Sequence, residues 1–478
     1  MLTWRNNVRG GGILAATGLA AALLIVGVEP SSAGLFSWMK GGQQNQGGDD
    51  NLGNSDNSGS SGNSGGPGWF GGQGKGGGGG LFGGSKPRQP QSGAFHGDEL
   101  PPSEGDAATR AWITNPALGT PTLSTRNIEP TKAAIERYKA IVAQGGWPML
   151  PASVMKPGSR GQQIVTLHRR LEVSGDLVGQ SIPDEYDAAV VVAVKNFQSR
   201  HSLPPTGSID NRATIDALNV PAAARLAQLQ ASLKRLQTLA PGTPARYVVV
   251  NIPSAQVEAV ESGQVAQRHA AVVGKPERAS PELSSKIQEI NFNPYWYVPR
   301  SIIIKDLVPK GRELARRNQD MLAAYRMQAF DAAGNQLDPR KIDWNGTEVY
   351  NYNFRQLPWA ENSLGFIKIN FPNKDAVYMH DTPLKSLFGR AVRFESSGCV
   401  RVHNVEQLTA WILRDTPGWD INRILSMKQT GEQIDVKLTK PIPVYFAYIT
   451  AWGSPDGSVQ FRQDIYEHDG GATTASAY

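Results

Sequence analysis

The chain has 478 residues, of which 40% are hydrophobic and 8% aromatic, too many for one compact core and enough for two or three. A net charge of +6 with no Lys/Arg-rich block argues against nucleic acid as a partner and suits a polyanionic cell envelope. A single cysteine excludes an intramolecular disulfide, so packing alone must hold each domain.

Residues 1–33 read as a signal peptide. Arg5 and Arg9 precede an uncharged, mostly apolar run at 13–28, and Ser31-Ser32-Ala33 suits cleavage after Ala33. The run is short for a span of about twenty residues, and an uncleaved inner-membrane anchor is the alternative. Either reading puts the body of the chain in the periplasm or cell envelope. Residues 34–128 are expected to be a disordered Gly/Ser/Asn-rich linker, with 76–80 all glycine. At 129–153 a helical scaffold segment carries Ala133, Ile135, Tyr138 and Ile141 on one stripe, closed by Gly145-Gly146. Three short helices, near 161–171, 187–197 and 211–218, make a small unit over 154–221. A connector helix at 222–243 presents Leu226, Leu229, Leu233 and Leu236.

From Arg246 the period changes to that of strands, and 244–450 reads as a mainly-β domain. Strands are expected around 247–252, 256–260, 265–273, 286–292, 365–371, 375–379 and 434–450. Helical text at 302–326 opens an insertion over 302–364, and another helix covers 404–414. Residues 451–478 are left as a C-terminal tail. The fold class is therefore α+β and multidomain.

Chemistry concentrates in Met379-His380-Asp381-Thr382-Pro383 and in Ser396-Ser397-Gly398-Cys399-Val400-Arg401-Val402, with Cys399 nineteen positions after His380. A free thiol in an exported protein is open to oxidation and mispairing. A thiol with an ordinary pKa also needs a base to become a nucleophile. Cys399 as nucleophile, His380 as general base and acid, and the Gly398 and Cys399 amides as oxyanion donors would answer both points. The plainer alternative is a small buried cysteine in an ordinary strand, with a histidine satisfied by hydrogen bonds. No His/Cys/Asp/Glu cluster has metal-ligand spacing, so no metal or cofactor is expected.

These two motifs resemble the active-site signature of L,D-transpeptidases, cysteine acyltransferases of peptidoglycan with a YkuD-type β-sandwich fold. Ser397 stands where many members have histidine. The serine variant, with Asn293-Pro294-Tyr295-Trp296-Tyr297-Val298-Pro299-Arg300-Ser301 and Asn362-Ser363-Leu364-Gly365, is similar to the large periplasmic YcbB-like subfamily. Gly158-Ser159-Arg160-Gly161, Leu167-His168-Arg169-Arg170-Leu171 and Ala193-Val194-Lys195-Asn196-Phe197-Gln198 resemble a peptidoglycan-binding domain.

The resemblance implies a reaction in which Cys399 takes a tetrapeptide stem as thioester, releases D-alanine and passes the stem to a second stem as a 3→3 cross-link. Arg401 is implied as a cation for a substrate carboxylate, with a salt bridge within the sheet as the alternative. Ser396, Ser397, Tyr378 and Trp296 are implied as substrate contacts, against loop structuring for the serines and core packing for the aromatics. The insertion is implied as a capping subdomain, with a docking surface for a wall-synthesis partner as the alternative. Partners would be stem peptides and glycan, and further wall-synthesis or outer-membrane proteins. Two rival activities share the thioester: a carboxypeptidase, with water as acceptor, and attachment of outer-membrane proteins to the wall. A third rival is a non-catalytic wall-binding protein.

Overall fold

The computed structural model describes residues 107–470; the signal expected at 1–33 and the linker up to residue 106 lie outside the described residues. Among the described residues six α-helices precede the sheet: α1 (Ala107–Thr114), α2 (Ile128–Ala143), α3 (Gln162–Ser174), α4 (Ala188–Arg200), α5 (Arg212–Asn219) and α6 (Ala222–Leu239). Helices α3 to α5 enclose a core of their own, with Leu167, Leu171, Val190, Phe197 and Leu218 fully buried. Asp187 and Asn211 cap α4 and α5 by accepting from the Val190 and Thr214 amides, which satisfies first-turn donors that the helix itself cannot.

Nine strands form the main sheet: β1 (Arg246–Asn251), β2 (Gln256–Glu261), β3 (Gln264–Gly274), β4 (Leu283–Phe292), β8 (Ile367–Asn370), β9 (Met379–His380), β10 (Phe394–Ser396), β11 (Val400–Val402) and β12 (Ile434–Ala447). Their order is β10-β3-β11-β9-β8-β4-β12-β1-β2, and β2 also pairs with β3. The two layers of the sandwich are thus continuous, and closure leaves only the short β10 as an edge, which limits pairing with other chains. Alternate residues of these strands, among them Val248, Ile290, Ile369, Met379, Val400 and Val402, fill one core. Helices α10 (Val405–Leu413) and α11 (Ile421–Thr430) add Leu408, Ile424 and Met427 to it.

The insertion has a separate core. Strands β5 (Trp296–Tyr297), β6 (Met327–Phe330) and β7 (Asn353–Gln356) form a small sheet in the order β5-β7-β6. The expected helix at 302–326 is broken: α7 (Arg300–Ile302), a π-turn at Ile303–Leu307 and α8 (Val308–Arg316) run on from one another, and α9 (Met321–Ala324) follows a turn. Trp296, Leu307, Val349, Phe354 and Leu364 pack together across these elements.

Three expectations need correction. Residues 107–128 are not linker. Helix α1 occupies the start, Leu123 is fully buried, and the backbone and hydroxyl of Thr122 both donate to Glu258, at 2.9 and 2.6 Å. These partners are 136 residues away in sequence, so no local period announces them. Residues 451–470 are not a tail either. Strands β13 (Ala451–Gly453) and β14 (Val459–Phe461) form a hairpin that closes the core between α2 and α6, with Tyr138 5.5 Å from Phe461, ring to ring. Strands of three residues are too short for alternation to be read. Finally, the strand expected at 375–379 shrinks to Met379–His380, because the Asn373 side chain closes a turn onto both backbone groups of Val377.

Several histidines are buried in the uncharged form. His201 stacks at 3.8 Å on Phe197, and burial holds it well below its ordinary pKa. Burial lowers His269 to about 4 and His380 to about 3. Unfolding restores a value of about 6.5, so the unfolded chain binds more protons below that pH. Their contribution to stability is intact above about pH 6.5 and is lost as pH falls towards the folded values, at about 2 kcal/mol each by pH 5. Urea unfolding at pH 7 and pH 5 should therefore show a clear drop in midpoint; equal midpoints would contradict this account.

Candidate active site

Strand parity explains why the motif residues meet. Strand β11 runs parallel to β9, with Val400 opposite Met379 and Arg401 opposite His380, and the Val400 amide donates 3.0 Å to the Tyr378 carbonyl. Val377, Met379, Val400 and Val402 face the core. Side chains alternate along a strand, so His380 and Arg401 share the opposite face; Tyr378 and Cys399 immediately precede the two strands, and the Tyr378 hydroxyl bonds the thiol there. On β8, Lys368 lies opposite His380, which makes a cross-strand row of Lys368, His380 and Arg401 beside the thiol. The alternation Ile367-Lys368-Ile369 carries the signal for Lys368, but the sequence reading did not take it up.

His380 is buried, and its Nδ1 lies 2.5 Å from the Asp381 carbonyl oxygen. A carbonyl only accepts, so Nδ1 carries the proton and Nε2 keeps a free lone pair. Burial and then the Arg401 charge push the imidazole down to about 3, which keeps it neutral at physiological pH with the Nε2 lone pair free. Burial raises the half-buried Cys399 thiol, against the backbone and hydroxyl of Tyr378 and the charges of Lys368 and Arg401, which favour the thiolate. The resting pair is therefore thiol and neutral imidazole. The Tyr378 hydroxyl donates to the sulfur and accepts from the Trp296 indole, and its own pKa is held well above the ordinary value by burial. Trp296 is buried in the core of the insertion, so it acts on the site through Tyr378.

The loop before Cys399 is held on three sides. Gly398 adopts φ 111°, a region that side-chain-bearing residues rarely enter. Its N–H, expected to face an oxyanion, donates instead to Ser396 Oγ at 3.2 Å, and that hydroxyl donates 2.5 Å to the Cys399 carbonyl. Ser280 donates 2.8 Å to the Gly398 carbonyl, and the Tyr466 hydroxyl bridges the Ser280 amide and the Gly274 carbonyl. Ser397 Oγ accepts from Arg278 at 2.9 Å, and Arg278 also forms a two-pronged ion pair with Asp306 in the π-turn of the insertion. Ser396 and Ser397 thus structure the loop. Arg278, Asp306, Ser280 and Tyr466 come from distant segments and carry no local motif, so sequence reasoning missed them.

Arg401 is buried and makes no ion pair or hydrogen bond among the described residues, so the salt bridge considered for it is not formed there. Burial lowers the Arg401 guanidinium, against the charges of Glu395 and Cys399. No group of three or more His, Cys, Asp or Glu among the described residues is placed to hold a metal ion. No helix among them is long and apolar enough to cross a membrane.

Residues 245–419 match the L,D-transpeptidase catalytic domain, and residues 160–218 match a putative peptidoglycan binding domain. A Haemophilus influenzae protein described as a putative L,D-transpeptidase is 32% identical over 223 residues, 46% of this chain and 44% of that protein. The chain thus spans less than half the length of that curated relative. Among solved structures, an L,D-transpeptidase from Stackebrandtia nassauensis is 14% identical, with 65% of this chain and 99% of that chain covered and a TM-score of 0.24. One from Mycobacterium smegmatis is also 14% identical, with 42% and 58% covered and a TM-score of 0.20.

Proposed function

We propose that this chain, which carries an L,D-transpeptidase catalytic domain and a peptidoglycan-binding domain, joins peptide stems of peptidoglycan by 3→3 cross-links through a thioester on Cys399. The observation that carries the reading is the pairing of β11, which Cys399 immediately precedes, with β9, which ends on His380, and the imidazole tautomer set by the Asp381 carbonyl.

His380 Nε2 takes the thiol proton as Sγ attacks the carbonyl between the L-centre of diaminopimelate and the terminal D-alanine of a donor stem. Lys368 and Arg401 favour the thiolate, and the Tyr378 hydroxyl steadies it. With the Gly398 amide directed to Ser396, the Cys399 amide is the backbone donor for the oxyanion. The tetrahedral intermediate collapses to the thioester, and D-alanine departs with the proton from His380. An amine of a second stem then attacks the thioester, loses its proton to His380, and the thiolate leaves to be reprotonated. The insertion, whose core reaches Tyr378, would cover the thioester and keep water from it. The work takes place in the cell envelope, where the small helical domain holds the enzyme on its polymer.

Incubation with disaccharide-tetrapeptides should give dimers linked between two diaminopimelates and free D-alanine, both absent with Cys399→Ala. Mass spectrometry of the products decides. Tripeptides alone would replace this reading with a carboxypeptidase, and unchanged substrate from folded protein would replace it with a wall-binding role.

A further inference from the structure

We propose that Lys368 is a specificity-determining residue of this site: its ammonium receives the free carboxylate of the amino acid that leaves the donor stem. The inference rests on the transpeptidase reading and goes beyond it by assigning a recognition role to a residue outside both motifs.

Lys368 lies opposite His380 in the register of β8 with β9, on the face that carries Arg401 and beside the thiol of Cys399. It is half-buried, and its Nζ sits 4.6 Å from the centre of the Tyr378 ring, whose hydroxyl bonds the thiol. A desolvated ammonium normally takes an anionic partner. Among the described residues Lys368 has no ion pair. The carboxylates whose charge reaches it are Glu289 on β4 and Asp435 on β12, and both are engaged elsewhere. Asn291 donates to Glu289 at 2.8 Å and to Asp435 at 2.6 Å, and Asn370 donates to Glu289 at 3.3 Å. Of the groups beside it, Arg401 is cationic, His380, Tyr378 and the resting Cys399 are neutral, and the one further carboxylate whose charge is felt, Glu395, acts on Arg401 and bonds Arg390. The ammonium therefore has a π-face beneath it, a thiol beside it and no ion-pair partner of its own among the described residues.

The chemistry of the donor says which anion fits. The scissile nitrogen belongs to the leaving D-alanine, and only that residue's α-carbon separates the nitrogen from its carboxylate. The second carboxylate of diaminopimelate lies at the far end of a side chain, well away from the attacked carbonyl. A cation this close to the thiol therefore meets the terminal carboxylate when the carbonyl is over Sγ. Such a contact also limits the enzyme to the last peptide bond of the stem, because an internal bond offers no carboxylate there.

The test compares two donors with the full chain: a disaccharide-tetrapeptide ending in D-alanine, and the same donor ending in D-alaninamide. Release of the terminal residue is followed as kcat/KM. The unaltered protein is expected to favour the free carboxylate by about tenfold or more, the factor one charge-assisted hydrogen bond provides. Lys368→Met slows both donors by losing its support of the thiolate and should slow the carboxylate donor further, so that the preference is lost, while Lys368→Arg should keep it. The proposal is overturned if Lys368→Met retains the preference, or if both donors slow equally, which marks a purely structural or thiol-tuning role. Absence of any preference in the unaltered protein overturns it without a variant. Release of neither donor by a protein whose Cys399 still alkylates refutes the transpeptidase reading itself, a distinct result.

Discussion

Replacing His380 by alanine is expected to slow acylation of Cys399 by a carbapenem about 10²–10⁴-fold at pH 7, the range of a positioned general base. The shape of the pH profile is the sharper test. With the imidazole lowered to about 3, the unaltered protein keeps a neutral base from about pH 4 upward, so its rate should show no inflection near 6.5. In His380→Ala only the thiolate fraction reacts, and burial raises the thiol. Its rate should then climb about tenfold per pH unit through the neutral range, and the gap should narrow in alkali. Intact-mass kinetics at several pH values would show this. Parallel profiles for the two proteins would mean that His380 is not the base. The same variant should also be less sensitive to acid, since it lacks one of the buried neutral histidines.

The second large effect is expected at Arg278. Its ion pair with the buried Asp306 ties the insertion to the loop before Cys399, because the same guanidinium donates to Ser397. Arg278→Ala leaves a buried carboxylate without a partner, which typically costs about 3–5 kcal/mol. Asp306→Ala together with Arg278→Ala should recover much of that stability, since the stranded charge is gone. Acylation should stay slow in the double variant because Ser397 still lacks its donor. Urea unfolding of the single and double variants gives the coupling directly. A coupling below about 0.5 kcal/mol, within the error of additivity, would mean that the pair is not the tie.

How legible was this in the sequence? The strands of the main sheet were legible where they are long and alternate, as in β1 to β4 and β12, and so were helices α3 to α6, two of them capped by Asp187 and Asn211. The hairpin of β13 and β14 and the segment around Thr122 were not, because their burial comes from partners far along the chain. Cys399 and His380 stood out as candidates because a lone thiol and a strand-end histidine are chemically conspicuous. The direction of the Gly398 amide was not legible, because it depends on the Ser396 hydroxyl, which no motif orients. Lys368 was overlooked although its alternation was visible, since a lysine on a strand is ordinarily a solvated one.

The sequence by itself determined residue types and local periods: a helical unit, a β-rich domain, an insertion, one thiol and a histidine nineteen positions away. Those follow from short-range sterics and from apolar spacing. Only the tertiary structure decided the rest. Pairing of β9 with β11 and β8 gathers His380, Arg401 and Lys368 on one face beside Cys399. Burial there keeps the thiol and imidazole neutral, while the acids nearest Lys368 are held by asparagines. The physical reason is that register and desolvation are properties of packed neighbours, and a linear string does not name its neighbours.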